Sequence, residues 1–230
     1  MTKTTRVEAK AGIELEAITL EQARQHYDDA DPAHDFHHVL RVLALAERIG
    51  SAEGADLEVL KTAVLLHDVA RADEMRGGPC HALAGAEQAR QILADWPPDK
   101  VDAVTHAIAT HRFRNDDAPQ TLEAKVLYDA DKLDCIGAIG VARAFAIGGM
   151  MGQRLWAEVE ADYGQNRWEN KALARGDLSS DHTPVHEFAF KLSRIRDSLF
   201  TPTAKDMAED RHHFMADFFL RLDAEVRGEL

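Results

Sequence analysis

The chain has 230 residues, 45% of them apolar, enough for one large domain or two small ones with a substantial core. Aromatic residues make up only 7% while alanine and leucine abound, a balance that favours packed helices over a β-sandwich. With 40 acidic and 27 basic residues the formal net charge is −13, which repels polyanions and argues against nonspecific binding of long nucleic acid.

Residues 1–18 read as a flexible N-terminal tail and residues 19–230 as one domain. The polar, charged start carries no signal-peptide pattern. A short helix is expected over Thr19 to Asp28, since Thr19 with Gln22 fits a capping box, and Asp31-Pro32 marks a turn. Asp35 then caps a helix to Ile49, with Phe36, Val39, Leu40, Leu43, Ala46 and Ile49 on the 3.6-residue period and Gly50 and Gly54 at its end. Asp56 caps the next, which reaches about Val69 and contains His67 and Asp68. After the MRGGP loop at 75–79, helices are expected from His81 to Asp95 and from Asp99 to about His111, with a loop over 112–120.

A long helix is expected from Thr121 to Ala146; its small residues Gly137, Ala138, Gly140 and Ala142 allow close helix approach. The stretch Cys135 to Gly152, which overlaps the end of this helix, is apolar enough to be mistaken for a membrane span. Arg143 would cost at least ~2.5 kcal/mol at a bilayer centre, so the expectation is a buried helix and no membrane partner. Residues 151–184, with Trp156 and Trp168, show no legible motif; short helices and loops are expected there, and substrate choice is assigned to them. Two helices close the chain, Val185 to Phe200 and Thr203 to Arg227, broken by Thr201-Pro202. Cys80 and Cys135 form no disulfide framework, which points to a reducing cytoplasm; Cys80 beside His81 reads as a spectator thiol rather than a thiolate ligand.

The chemistry is concentrated at His67-Asp68, inside the apolar stretch Leu60 to Ala70. Burying an imidazole beside a carboxylate is costly unless something compensates, and a divalent cation does so by taking both in their deprotonated forms. His38 upstream, His81 and His111 between, and Asp131 downstream supply partners. His38 shares a helix face with Arg41, whereas His37 tends toward solvent. Asp131 starts an inward face that continues through Asp134, Cys135 and Ala138, and Asp129 is expected to point elsewhere.

The ordered set His38, His67-Asp68, Asp131 resembles the HD superfamily of metal-dependent phosphohydrolases. HDFHHVLRV at 34–42, LLHDVAR at 65–71, HALAGAEQA at 81–89, KVLYDADKLDCIGAIGVAR at 125–143 and HEFAFKL at 186–192 are similar to a compact bacterial branch that includes manganese-dependent nucleoside-triphosphate pyrophosphohydrolases. The likeness covers about residues 20–225. It implies an all-α, single-domain bundle with the metal between the helices at 35–49, 57–70 and 121–146. It implies His38, His67, Asp68 and Asp131 as ligands of a divalent cation, manganese favoured, with iron, zinc and magnesium compatible. Asp68, His81, His111 and Lys132 would be catalytic; Arg41, Lys132, Lys191 and Arg211 would meet a small phosphorylated substrate, a nucleotide by preference.

His81 and His111 would hold a second cation, contact phosphate or act as general acid. Two rival functions stay open: a dinuclear-iron oxygenase using those two histidines, and a non-catalytic nucleotide-binding module that keeps its metal as support. A homo-oligomer is compatible with the sequence, which does not determine the oligomeric state. The Gly-Tyr-Pro signature of cyclic di-GMP phosphodiesterases and the synthetase partner domain of alarmone enzymes are both absent from the sequence.

Overall fold

The computed structural model describes residues 18–27, 35–112, 118–159 and 182–230, and among them there are helices and no strand. The first helix, α1 (Leu20–Arg24), is opened by both halves of the Thr19/Gln22 capping box. Asp35 caps α2 (Phe36–Glu53) by accepting the His38 amide at 3.1 Å. This helix runs a turn beyond the expected end at Ile49 and stops at Gly54, whose φ of 81° is strained for any other residue. Its buried stripe is Phe36, His38, Val39, Val42, Ala46 and Ile49, while Leu40 is exposed.

The next helix, α3 (Leu57–Leu66), is capped by Asp56 on the Glu58 and Val59 amides. It ends before His67-Asp68, so the pair lies in the turn just past the helix and not within a helix reaching Val69. Side chains take over the backbone groups that the helix end leaves open. His67 folds back to the Val64 carbonyl, Tyr27 Oη donates to the Leu65 carbonyl at 3.0 Å, and the Asp68 amide donates to Tyr27 Oη at 3.4 Å. Tyr27 thus ties the N-terminal segment to the turn that carries Asp68. Tyr27→Phe removes both contacts, and we expect the metal affinity to fall by about tenfold, as for other groups that orient a ligand, read by metal titration of wild type and variant.

Three further helices follow: α4 (Arg71–Met75), α5 (His81–Ile92) and α6 (Pro98–Thr110), the last opening on a proline whose missing N–H costs nothing there. The expected single helix from Thr121 to Ala146 is in fact two, α7 (Leu122–Leu133) and α8 (Gly137–Met150), bent by 65°. Gly137 has φ +77° and follows the extended Ile136, so the chain cannot continue as one helix. Arg211 donates to the Leu133 carbonyl exposed by the break.

The expected helix from Val185 to Phe200 is likewise divided, into α9 (Pro184–Phe190), a 3₁₀ turn Leu192–Arg194 and α10 (Ile195–Ser198), because the Lys191 backbone leaves the helical region. The last helix, α11 (Pro202–Val226), starts at a Thr201 cap. Asp31-Pro32, Trp168 and most of the 151–184 segment lie outside the described residues.

Helices α2, α3, α6 and α7 pack on one another, α5 covers α6, and α11 lies on α7 and α8. Ile49, Leu60, Leu66, Ile108, Leu127 and Leu133 are fully buried at their centre. Each such side chain contributes about 1.5–3 kcal/mol over its exposed state. This apolar frame holds rigidly the helix ends from which the site is built. No single described helix is long and apolar enough to cross a membrane.

Candidate metal centre

Four buried histidines meet where these helix ends converge: His38 from α2, His67 after α3, His81 opening α5 and His111 after α6. Each has its Nδ1 tied to an oxygen. The partners are Asp134 Oδ2 at 2.7 Å for His38, the Val64 carbonyl at 2.7 Å for His67, Glu74 Oε2 at 2.5 Å for His81 and the Ile108 carbonyl at 2.6 Å for His111. Carbonyl and carboxylate oxygens accept, so each Nδ1 carries the proton and each Nε2 offers a lone pair. His67 and His111 achieve this alike, as C-cap residues whose rings turn back to the carbonyl three residues earlier.

The Nε2 atoms gather around Asp68. Oδ2 lies 3.8 Å from His38 Nε2 and 3.7 Å from His67 Nε2; Oδ1 lies 3.4 Å from His81 Nε2 and 3.7 Å from His111 Nε2. Asp131 Oδ1 is 3.3 Å from His38 Nε2. Two groups result, His38–His67–Asp68 and Asp68–His81–His111, each with ligand atoms within 4.8 Å of one another and sharing Asp68.

Electrostatics favour the ligand form at His67, His81, Asp68 and Asp131 and oppose it at His38. Burial pushes the His67 and His81 imidazoles down to about 4, so both are neutral at neutral pH. Burial also opposes ionisation of Asp68 and Asp131, but the surrounding histidines outweigh it at Asp68, and Lys132 with His38 outweighs it at Asp131; both carboxyls are held well below the usual range. His38 is raised: burial lowers it, and the hydrogen bonds to Asp131 and Asp134 more than offset that. Lys132 is buried with Nζ 2.6 Å from Asp131 Oδ2 and over the Tyr128 ring, and the carboxylate keeps it charged despite burial.

The donor set fits a divalent cation. Ligand atoms bound at about 2.0–2.2 Å stand roughly 3–3.5 Å apart, close to the separations found here. His67 Nε2 is buried with no hydrogen-bond partner among the described residues, the state expected of a ligand atom. His81 Nε2 and His111 Nε2 face each other at 3.3 Å, where two lone pairs repel unless a cation or a proton lies between them. Imidazole nitrogen with carboxylate oxygen accommodates manganese, iron, zinc or magnesium.

A model of the HD domain matches residues 35–136. YpgQ of Bacillus subtilis is 34% identical over 208 residues, covering 87% of this chain and 88% of YpgQ. The chain belongs to the HD-domain superfamily. A crystal structure of YpgQ in complex with ADP superposes with a TM-score of 0.66 at 31% identity, covering 91% of this chain and 99% of that one. A predicted HD superfamily hydrolase from an uncultured Thermotogales bacterium gives 0.61 at 32%, with 90% of each chain covered. Ribonuclease Y of Chloroflexus aurantiacus is 40% identical over 97 residues, 42% of this chain and 17% of that enzyme.

Within this HD fold the other residues singled out from the sequence fall in different places. Arg41 grips Asp134 through Nε at 2.7 Å and Nη2 at 3.0 Å, with Arg143 on the same carboxylate, so its fork is engaged behind His38. Lys191 pairs with Glu187, which also meets His182, and Arg211 binds the Leu133 carbonyl. Among the described residues neither Lys191 nor Arg211 bonds to the histidine–aspartate cluster. His37 is exposed, and Asp129 points away into the start of α11. Cys80 takes a contact from Arg112 at 3.2 Å and is no member of either ligand group.

Sequence reasoning assigned no role to Asp134, Glu74 or Tyr27. Asp134 and Glu74 fix the tautomers of His38 and His81, and Tyr27 anchors the Asp68 turn. Asp134 was within reach of sequence reading, one helical turn after Asp131 on the same inward face. Glu74 had no such signal.

Proposed function

We propose that the protein is a metal-dependent phosphohydrolase acting on a small phosphorylated metabolite, a nucleotide by preference. The observation that carries this reading is the convergence of four lone-pair Nε2 atoms on one bridging carboxylate, Asp68. His38, His67, Asp68 and Asp131 would hold one divalent cation; Asp68, His81 and His111 would hold a second. Bound there, such cations lower the pKa of water and polarise a phosphoryl oxygen.

The protein's own groups do the rest. Asp134 and Glu74 keep the histidines aimed inward, and the carbonyls of Val64 and Ile108 do the same for His67 and His111. Lys132 holds Asp131 by its second oxygen and keeps a buried positive charge where phosphoryl oxygens gain negative charge in the transition state. The net charge of −13 disfavours long polyanions, while the bound cations, with Lys132, would attract small ones. The presence of ADP on the relative YpgQ supports a nucleotide, and the resemblance of the motifs supports manganese.

The test is elemental analysis of the purified protein, followed by a manganese-supplemented nucleotide screen that separates phosphate from pyrophosphate release. The expected result is one or two divalent ions per chain, with turnover that a chelator abolishes and manganese restores. The shared Asp68 also favours a second reading, a dinuclear-iron oxygenase on the same six ligands. Two irons with oxygen uptake and no phosphate release would establish that reading instead. Tight nucleotide binding with neither activity would indicate a binding module.

A further inference from the structure

We propose that Arg71 and Arg112 form a clamp for the second phosphoryl group of a phosphoanhydride, beside the His81–His111 end of the site. The proposal rests on the phosphohydrolase reading and specifies which bond class it serves. Arg71 opens α4 directly after the His67-Asp68 turn, and Arg112 follows His111 directly after α6. Both reach Glu74: Arg71 Nη1 is 3.0 Å from Oε2 and Arg112 Nη1 is 3.1 Å from Oε1. Glu74 in turn holds His81 Nδ1, and Arg71 Nη1 is 3.2 Å from that same nitrogen. Arg71 therefore lies one imidazole ring away from the place where His81 and His111 would hold a cation, and Arg112 lies beside it on the other oxygen of Glu74.

Three features exceed what a structural staple needs. Among the described residues, Glu74 is the one carboxylate within ion-pair distance of either arginine, so two positive charges share it in a chain of net charge −13. Among the described residues, Arg71 commits Nη1 to Glu74, and Arg112 commits Nη1 to Glu74 and Cys80. Arg71 Nε is buried with no hydrogen-bond partner among the described residues. A buried donor in this position is costly to leave unmade and suits an oxygen supplied from outside. Finally, the arginine side chains are 24% and 26% exposed where Glu74 is 8% exposed, so the guanidiniums face the solvent side of the cluster. A planar fork with unused N–H groups is suited to a tetrahedral phosphate, which accepts two bonds from one guanidinium. A monoester whose one phosphoryl group sits at the cations would leave this clamp unused; a di- or triphosphate fills it.

The test is calorimetric binding of imidodiphosphate, the non-hydrolysable pyrophosphate analogue, and of inorganic phosphate to the manganese-loaded full chain. In Arg71→Gln and Arg112→Gln, imidodiphosphate affinity is expected to fall about tenfold or more, with phosphate affinity changing less than about twofold and metal content unchanged. Arg112→Gln guards against indirect damage, because Arg112 does not touch His81. Imidodiphosphate affinity within about twofold of wild type in Arg112→Gln overturns the clamp, as do equal losses for both anions, which signify only a weaker general field. The readout is independent of turnover. Arginine-dependent imidodiphosphate binding in a protein that hydrolyses no nucleotide would keep the clamp and defeat the hydrolase reading. A nucleotide hydrolase indifferent to both substitutions would do the reverse.

Discussion

Asp68→Ala is expected to remove metal from both halves of the site and to lower turnover by about three orders of magnitude or more, since a metal cation stabilises transition-state charge by several kcal/mol. The reason is geometric. Asp68 is the one residue common to both ligand groups, with Oδ2 toward His38 and His67 and Oδ1 toward His81 and His111. Without it, each group keeps two imidazoles that face each other with no anion between them. The fold should persist: His67 and His81 are neutral through burial itself, so no buried charge is stranded on them. Asp131→Ala provides the contrast. Asp131 approaches His38 and belongs to neither triad's core, so the His81–His111 side should keep its ion while the other side weakens. Metal stoichiometry, circular dichroism and turnover on both variants decide the matter. An Asp68→Ala protein with full metal content and turnover would overturn the central assignment.

How much of this was legible in the sequence depends on the kind of information each residue carries. His38, His67, Asp68 and Asp131 stand out because polar residues interrupt apolar helical periodicity, and such interruptions are rare unless something compensates them. The helix at Phe36–Glu53 was legible for the same reason in reverse, through its regular stripe and its Asp35 cap. The break between Leu133 and Gly137 was not, because residues on both sides are good helix formers or small. What divides them is a positive φ at Gly137, which composition does not reveal. The division of 185–200 at Lys191 has the same character.

Glu74, Arg71 and Arg112 look like ordinary surface charges of a short helix and a loop. They acquire meaning only when α4, α5 and α6 bring both arginines to the one carboxylate that holds His81. Arg41 shows the opposite case: correctly seen on the face of His38, it is found gripping Asp134, a partner 93 residues away that no local pattern announces.

Asp129→Ala should be a stability variant, although Asp129 lies only two residues from Asp131. The Asp129 carboxylate is fully buried and accepts three hydrogen bonds where α11 begins: the Phe200 amide at 2.9 Å, and the Thr201 amide and hydroxyl at 2.7 Å each. Alanine leaves those donors buried without an acceptor, at about 1–3 kcal/mol each. Part of that loss is returned, because burial raises the Asp129 pKa in spite of the hydrogen bonds, so the ionised carboxylate costs some folding energy at neutral pH. The sign follows: a raised folded pKa contributes stability that is present at acid pH and lost as pH rises through it.

The net expectation is a loss of about 2–4 kcal/mol, or a melting temperature lower by about 10 °C in a chain of this size. Asp129→Asn keeps one acceptor oxygen without the buried charge and should fall between the two. Below the variant's melting transition, metal content and turnover per folded molecule should match wild type. An unchanged melting temperature together with lost metal would place the carboxylate in the site instead, and would reverse the assignment of inward and outward faces along Leu122–Leu133.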